Sequence, residues 1–139
     1  MTKLILVIFF SASMWTTYAR TLEVGATSNW KTIRAAIQAA TSGDTIRILP
    51  GIYREGNLVI QKSISLIGIN FPIVDGENKF ELFTIAANHV TITGLRMINT
   101  GVGSINDVSA INAIESDHLQ VRNNQFENTF FGIHLANST

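Results

Sequence analysis

Three histidines, His89, His118 and His134, carry the metal-ligand chemistry of a chain that has no cysteine. His89 and His118 each follow a turn-forming residue, Asn88 and Asp117, at the same place in two similar stretches. If those stretches are successive turns of a stacked structure, the two rings sit about 4.8 Å apart. That spacing lets two imidazoles reach one copper or zinc ion when further ligands join them. The competing reading leaves both rings in solvent beside their turns, because two ligands alone make a weak site. His134 lies on a later strand and outside that register. The candidate metal ligands are therefore His89 and His118.

Carboxylates offer a second chemistry. Acid/base cleavage of a glycosidic bond needs two of them about 5–9.5 Å apart on one face. Asp44, Asp75, Asp107 and Asp117 fall in turn or loop contexts, and Glu115 and Glu127 are single carboxylates with no partner in register. Asp75-Gly76 is first of all a turn signal. No Ser/His/Asp set and no glycine-rich phosphate cradle can be assembled. The expectation is a protein that does not catalyse, with a polysaccharide-cleaving or carbohydrate-binding protein as the alternative.

Any such groups must be positioned by the elements around them. The first of these is a segment to be removed. Lys3, then the uncharged run Leu4 to Phe10, then Thr17-Tyr18-Ala19 read as a secretory signal peptide with cleavage after Ala19. The apolar run is short of the about 20 residues that a membrane span needs, so no span is expected after removal. Without cysteine, neither lipid attachment nor a disulfide framework is available. Of the 10 Lys+Arg and 10 Asp+Glu, removal of residues 1–19 takes Lys3 alone, leaving a net charge of −1. Nucleic acid and anionic membrane call for concentrated basic charge, which is missing.

Residues 20–43 form an N-terminal segment with one helix. Ile33, Ala36, Ile37 and Ala40 make a single apolar stripe, which predicts a helix over roughly 31–41. Ser28 or Asn29 is the expected N-cap and Gly43 the expected C′ glycine. From residue 44 to 139 the pattern is short β-branched strands between Gly, Asn, Asp and Pro turns. Ile85 to Gly94 repeats as Ile114 to Asn123, and the match extends through Met97 over Phe126, Asn99 over Asn128 and Thr100 over Thr129. Ser63 to Gly68 matches His89 to Gly94, while Ile114 matches Leu135 and Ser116 matches Asn137. A period that drifts between about 21 and 29 residues suits a β-solenoid with variable loops. Most of the extra length falls in Gly101 to Asp107.

Alternation points Val90, Ile92, Leu95, Met97, Leu119, Val121 and Phe126 inward. Thr91, Thr93, Arg96, Gln120, Arg122 and Gln125 then form a polar outer face, fit for a glycan or protein and equally for solvent. Asn124 takes the inward slot of Leu95, and such an asparagine must bond backbone at a turn or a stacked asparagine. The helix is placed to cap the first coil, covering strand edges that would otherwise invite aggregation. The last residues, Asn137-Ser138-Thr139, fall in mid-coil, so the stack is expected to continue past residue 139. The predicted class is all-β: a right-handed single-stranded parallel β-helix, a pectin-lyase-like solenoid with an N-terminal capping helix.

Ile33 to Ala40, Gly43-Asp44-Thr45 and Leu49 to Tyr53 resemble the opening of many right-handed β-helix proteins, including carbohydrate-binding/sugar-hydrolase (CASH) domains. Two later stretches narrow this. Lys62 to Gly68 leading to Val74-Asp75-Gly76, and Asn123 to Asn128 leading to Phe130 to Leu135, look like the NosD family of periplasmic accessory proteins. The resemblance spans nearly all of residues 30–139. It implies a periplasmic role in maturing the copper centres of nitrous oxide reductase beside an ABC transporter. It also implies copper as a ligand.

Overall fold

The structure, a computed structural model, describes residues 18–103 and 108–139. It is a parallel β-helix of about five turns whose strands fall into three parallel sheets. The first sheet stacks β1 (Thr21–Val24), β2 (Thr45–Ile48), β5 (Ser65–Gly68), β8 (Thr91–Thr93) and β11 (Gln120–Arg122). The second stacks β3 (Ile52–Tyr53), β6 (Ile73–Asp75), β9 (Arg96–Ile98) and β12 (Gln125–Glu127). The third stacks β4 (Leu58–Ile60), β7 (Phe83–Ile85), β10 (Ser109–Ile114) and β13 (Phe131–Ala136). Residues 1–17, where a signal peptide is expected, and Ser104 to Asp107 of the long loop lie outside the described residues.

Strands two to six residues long cannot bury a face alone, so the core is assembled from columns that run through the coils. Leu22, Ile46, Leu66, Ile92 and Val121 are register partners in the first sheet, and all but Val121 are buried. Tyr53, Val74, Met97 and Phe126 make the second column, and Leu58, Phe83, Ile111 and Ile133 the third. Each fully buried member contributes about 1.5–3 kcal/mol of transfer free energy. Val90, Ile92, Leu95 and Met97 are buried as the alternation predicts. Phe126 occupies its inward register but is 37% exposed, because no coil lies over it among the described residues.

The turns are set by backbone chemistry. Asn78, Asn99 and Asn128 all adopt left-handed backbone (φ 58, 53 and 51°), a region that Asn tolerates better than most residues. The Asn128 amide donates to Asn99 Oδ1 at 2.8 Å and Asn78 Oδ1 at 3.1 Å, and Asn99 donates to Asp75 Oδ1 at 3.0 Å. Asn124 accepts from the Leu95 amide and donates to the Ile92 carbonyl, both at 2.9 Å. These asparagines replace ladder hydrogen bonds where the chain turns. Gly68 and Gly94 pass so closely that a Cβ on Gly68 would lie 2.2 Å from the Gly94 carbonyl oxygen.

Three expectations change. The helix α1 runs Ile33–Ala39, and its N-cap is Thr32, whose hydroxyl oxygen accepts from the Ala35 amide at 3.2 Å. Ser28 and Asn29 are not available for capping because the chain there turns back, with the Gly25 amide donating to Trp30 at 2.9 Å. Nor is Gly43 a C′ residue. Ala40 closes the helix in extended backbone, and Gly43 (φ 93°) donates instead to Ser63 of the next coil. Finally, Ile85 pairs with Ala113, and Ala113 with Leu135; Ile114 pairs with Ala136. From Ile85 to Thr91 is six positions, but from Ala113 to its counterpart Gln120 is seven. The added residue, Glu115 in left-handed backbone (φ 48°), slips the register by one and turns Ile114 outward. Ser116 accordingly matches Ser138 rather than Asn137, its amide donating to the Ser138 hydroxyl at 2.9 Å.

The helix covers the first coil as expected. Ile33, Ala36 and Ile37 are buried against β1, β2 and β4.

Candidate functional site

His89 and His118 occupy equivalent turns that lead into β8 and β11. Both have left-handed backbone (φ 55 and 58°), where His is among the better tolerated residues. Because the turns share one conformation, the side chains leave the coil in the same direction. The rings stack with centroids 4.6 Å apart and planes inclined by 23°. The backbone beneath is tied coil to coil: the His89 amide donates to the Asp117 carbonyl and the Asp117 amide to Asn88 Oδ1 (2.9 and 2.8 Å). Both histidines are exposed.

Donor lone pairs of imidazole lie in the ring plane. In a near-parallel stack they therefore run side by side and do not converge. Shared ligation at a metal–nitrogen distance of about 2.0–2.1 Å needs one ring to swing about its side-chain torsions. Among the described residues, no group of three or more His, Cys, Asp or Glu side chains is placed to hold a metal ion. As arranged, the pair does not fit a closed copper site; it is an exposed two-imidazole surface.

His134 lies elsewhere, on the outer face of β13, its Nδ1 3.1 Å from Asn112 Oδ1. Asn112 also donates through Nδ2 to Glu81 Oε1 at 3.4 Å, so its oxygen faces the ring. Glu81 further accepts from the Thr84 and Ser109 hydroxyls. The result is a carboxylate–amide–imidazole chain running from Glu81 through Asn112 to His134. Nothing in the linear sequence marks it, since Glu81 and Asn112 are 31 positions apart and become neighbours only through the coil register.

Four of the carboxylates weighed for acid/base work, Asp44, Asp75, Asp117 and Glu127, have other partners. Asp75 accepts from the Glu77 amide and from Asn99 and lies 3.9 Å from Arg54 Nε. Asp117 accepts from the Thr139 hydroxyl at 3.0 Å, and Glu127 pairs with Arg96. Asp44 is 1% exposed and accepts from Thr41 and Arg20. Asp107 lies outside the described residues.

No family model, curated protein or solved structure matches this chain.

A recess of about 590 Å³ opens beside the edge strand β1, lined by Arg20, Glu23, Ser28, Asn29 and Trp30 among others. An aromatic face among hydrogen-bonding side chains is a surface on which a sugar ring can stack. The spacing of residues 20–30 carried no hint of it, because α1 forms part of its wall through Ala39.

Proposed function

We propose that this chain is an exported, non-catalytic β-helix that assists maturation of the copper centres of nitrous oxide reductase, acting in the periplasm beside an ABC transporter. The observation that carries this reading is the likeness of Lys62 to Gly68 and Asn123 to Leu135 to the NosD family. The first stretch forms β5 in the first sheet, and the second, two coils further on, forms a turn, β12 in the second sheet and β13 in the third. The exposed His89–His118 pair supports the reading as a place where a copper ion meets two imidazoles once a ring has swung and a partner adds donors. Rigid coils suit a platform for docking, since each coil is fixed by its neighbours.

The test is genetic and spectroscopic. Deleting the reading frame in its host should yield nitrous oxide reductase depleted in copper, restored by the intact gene. A double variant, His89→Ala with His118→Ala, should restore it poorly while keeping the wild-type melting curve. Full copper loading in the deletion strain would sink the proposal.

The Trp30 recess favours a second reading, binding of a carbohydrate. Retardation in a polysaccharide affinity gel that Trp30→Ala abolishes would select it, and product release from pectin would select an enzyme.

A further inference from the structure

The end of the expected signal peptide meets a buried carboxylate. Asp44 sits at the start of β2 with its side chain 1% exposed, the one buried acid among the described residues. The Arg20 backbone nitrogen donates to Asp44 Oδ1 at 2.8 Å. The Arg20 guanidinium donates to Asp44 Oδ2 at 2.9 Å, where the Thr41 amide (2.8 Å) and Thr41 hydroxyl (3.1 Å) also meet. Thr45 in turn donates to the Arg20 carbonyl at 2.8 Å, so residue 20 is held on both sides. On the other side of the expected cut the chain is open. Tyr18 is 82% exposed, and Ala19 and Arg20 are exposed.

We propose that the Ala19–Arg20 bond is a processing site and that Asp44 is the receptor for the α-ammonium group it releases. Hydrolysis consumes one water: the carboxylate stays on Ala19 and the new amine on Arg20 takes up a proton. A neutral amide donor at 2.8 Å thereby becomes a cation at the same place, and the hydrogen bond to Asp44 becomes an ion pair. Processing then stabilises the start of β1 instead of merely removing what precedes it. The carboxylate is already ionised for this role, because Thr41 and Arg20 hold its carboxyl well below the usual range against the opposing effect of burial.

The pairing depends on pH in a defined direction. An α-amino group titrates near about 7.7–8.0 when free, and an anionic partner raises that value in the folded chain. The added stability is present in full below about pH 7.7 and is lost as pH rises through the raised value.

This proposal rests on the export reading, and two measurements separate them. N-terminal sequencing of the secreted protein should begin at Arg20; a different first residue overturns the processing site and leaves the fold untouched. Independently, chains beginning at Arg20 should be made with a free amine, with an acetylated amine and with a two-residue Gly-Ser extension. At pH 6.5 the free-amine chain should melt about 3–6 °C above the other two, and the gap should close by pH 10. In Asp44→Asn the three should melt together; should that variant fail to fold, the acetylated chain still supplies the comparison. Equal melting of the three wild-type chains, or a gap that persists in Asp44→Asn, overturns the receptor role.

Discussion

Asp44 shows how much one side chain can be asked to hold in this fold. It is an anion with almost no solvent contact, and its two oxygens accept from the Thr41 amide, the Thr41 hydroxyl, the Arg20 guanidinium and the Arg20 amide. The Thr41 amide is the strongest influence keeping its carboxyl ionised; burial opposes it and is outweighed. A group depressed in the folded state binds its proton more readily in the unfolded chain. Its stabilisation is therefore complete above the ordinary carboxylate value of about 4 and is lost as pH falls below it. Urea midpoints should be level with respect to this group above about pH 5 and decline below pH 4. Asp44→Asn should cost about 2–3 kcal/mol at pH 7 and flatten that decline. A wild-type acid limb unchanged by Asp44→Asn would show that other carboxylates govern it.

At the scale of elements, α1 is seven residues long and has neither an acidic first turn nor a basic last turn of its own. A helix so short is marginal by itself. Its ends are held by residues from the next coil instead. The Glu55 carboxylate accepts from the Ile33 and Arg34 amides at 2.8 and 2.9 Å. Lys62 Nζ donates to the Ile37, Gln38 and Ala40 carbonyls at 3.1, 3.0 and 2.6 Å. An anion at the N-terminus and a cation at the C-terminus both match the helix dipole and occupy its orphan groups. Lys62→Met should cost about 1–2 kcal/mol and speed amide exchange across Ile33–Ala39 before it affects β5 or β8. Unaltered exchange in the helix would show that apolar packing alone holds it. The strands bear a different legibility: their alternation was readable, whereas the pairing of Ile85 with Ala113 was not, because Glu115 adds a residue to one turn.

At the scale of the whole stack, the first and last described coils differ. At the first coil α1 covers the column tops with Ile33, Ala36 and Ile37. At the last described coil, inward-pointing Phe126, Ile133 and Leu135 are 37, 44 and 52% exposed, and β11, β12 and β13 are the outer strands of their sheets. Open strand edges beside apolar side chains favour pairing between chains. A chain of this sequence should self-associate at micromolar concentration, and Ile133→Lys with Leu135→Lys should shift it toward monomer in light scattering. A wild-type chain that stays monomeric at high concentration would show that this surface is not adhesive. In the interior, where columns are closed above and below, Leu66→Ala should cost about 2–5 kcal/mol; Val121→Ala should cost less.

The parallel β-helix, the inward residues of β8 and β9, the turn asparagines and the shared register of His89 and His118 were all legible in the amino-acid sequence. Each follows from local stereochemistry: side chains alternate along a strand, and Asn and His accept left-handed backbone where others resist it. The clamps of Glu55 and Lys62 on α1, the Glu81–Asn112–His134 chain and the Arg20–Asp44 contact were decided only by tertiary structure. Their members are 21 to 31 positions apart, and whether they meet depends on the summed lengths of every turn around a coil. One residue more in any turn would move a partner to the opposite face. Orientation was decided there too, since register sets two imidazoles one above the other, but only the packing of the side chains makes their lone pairs run side by side.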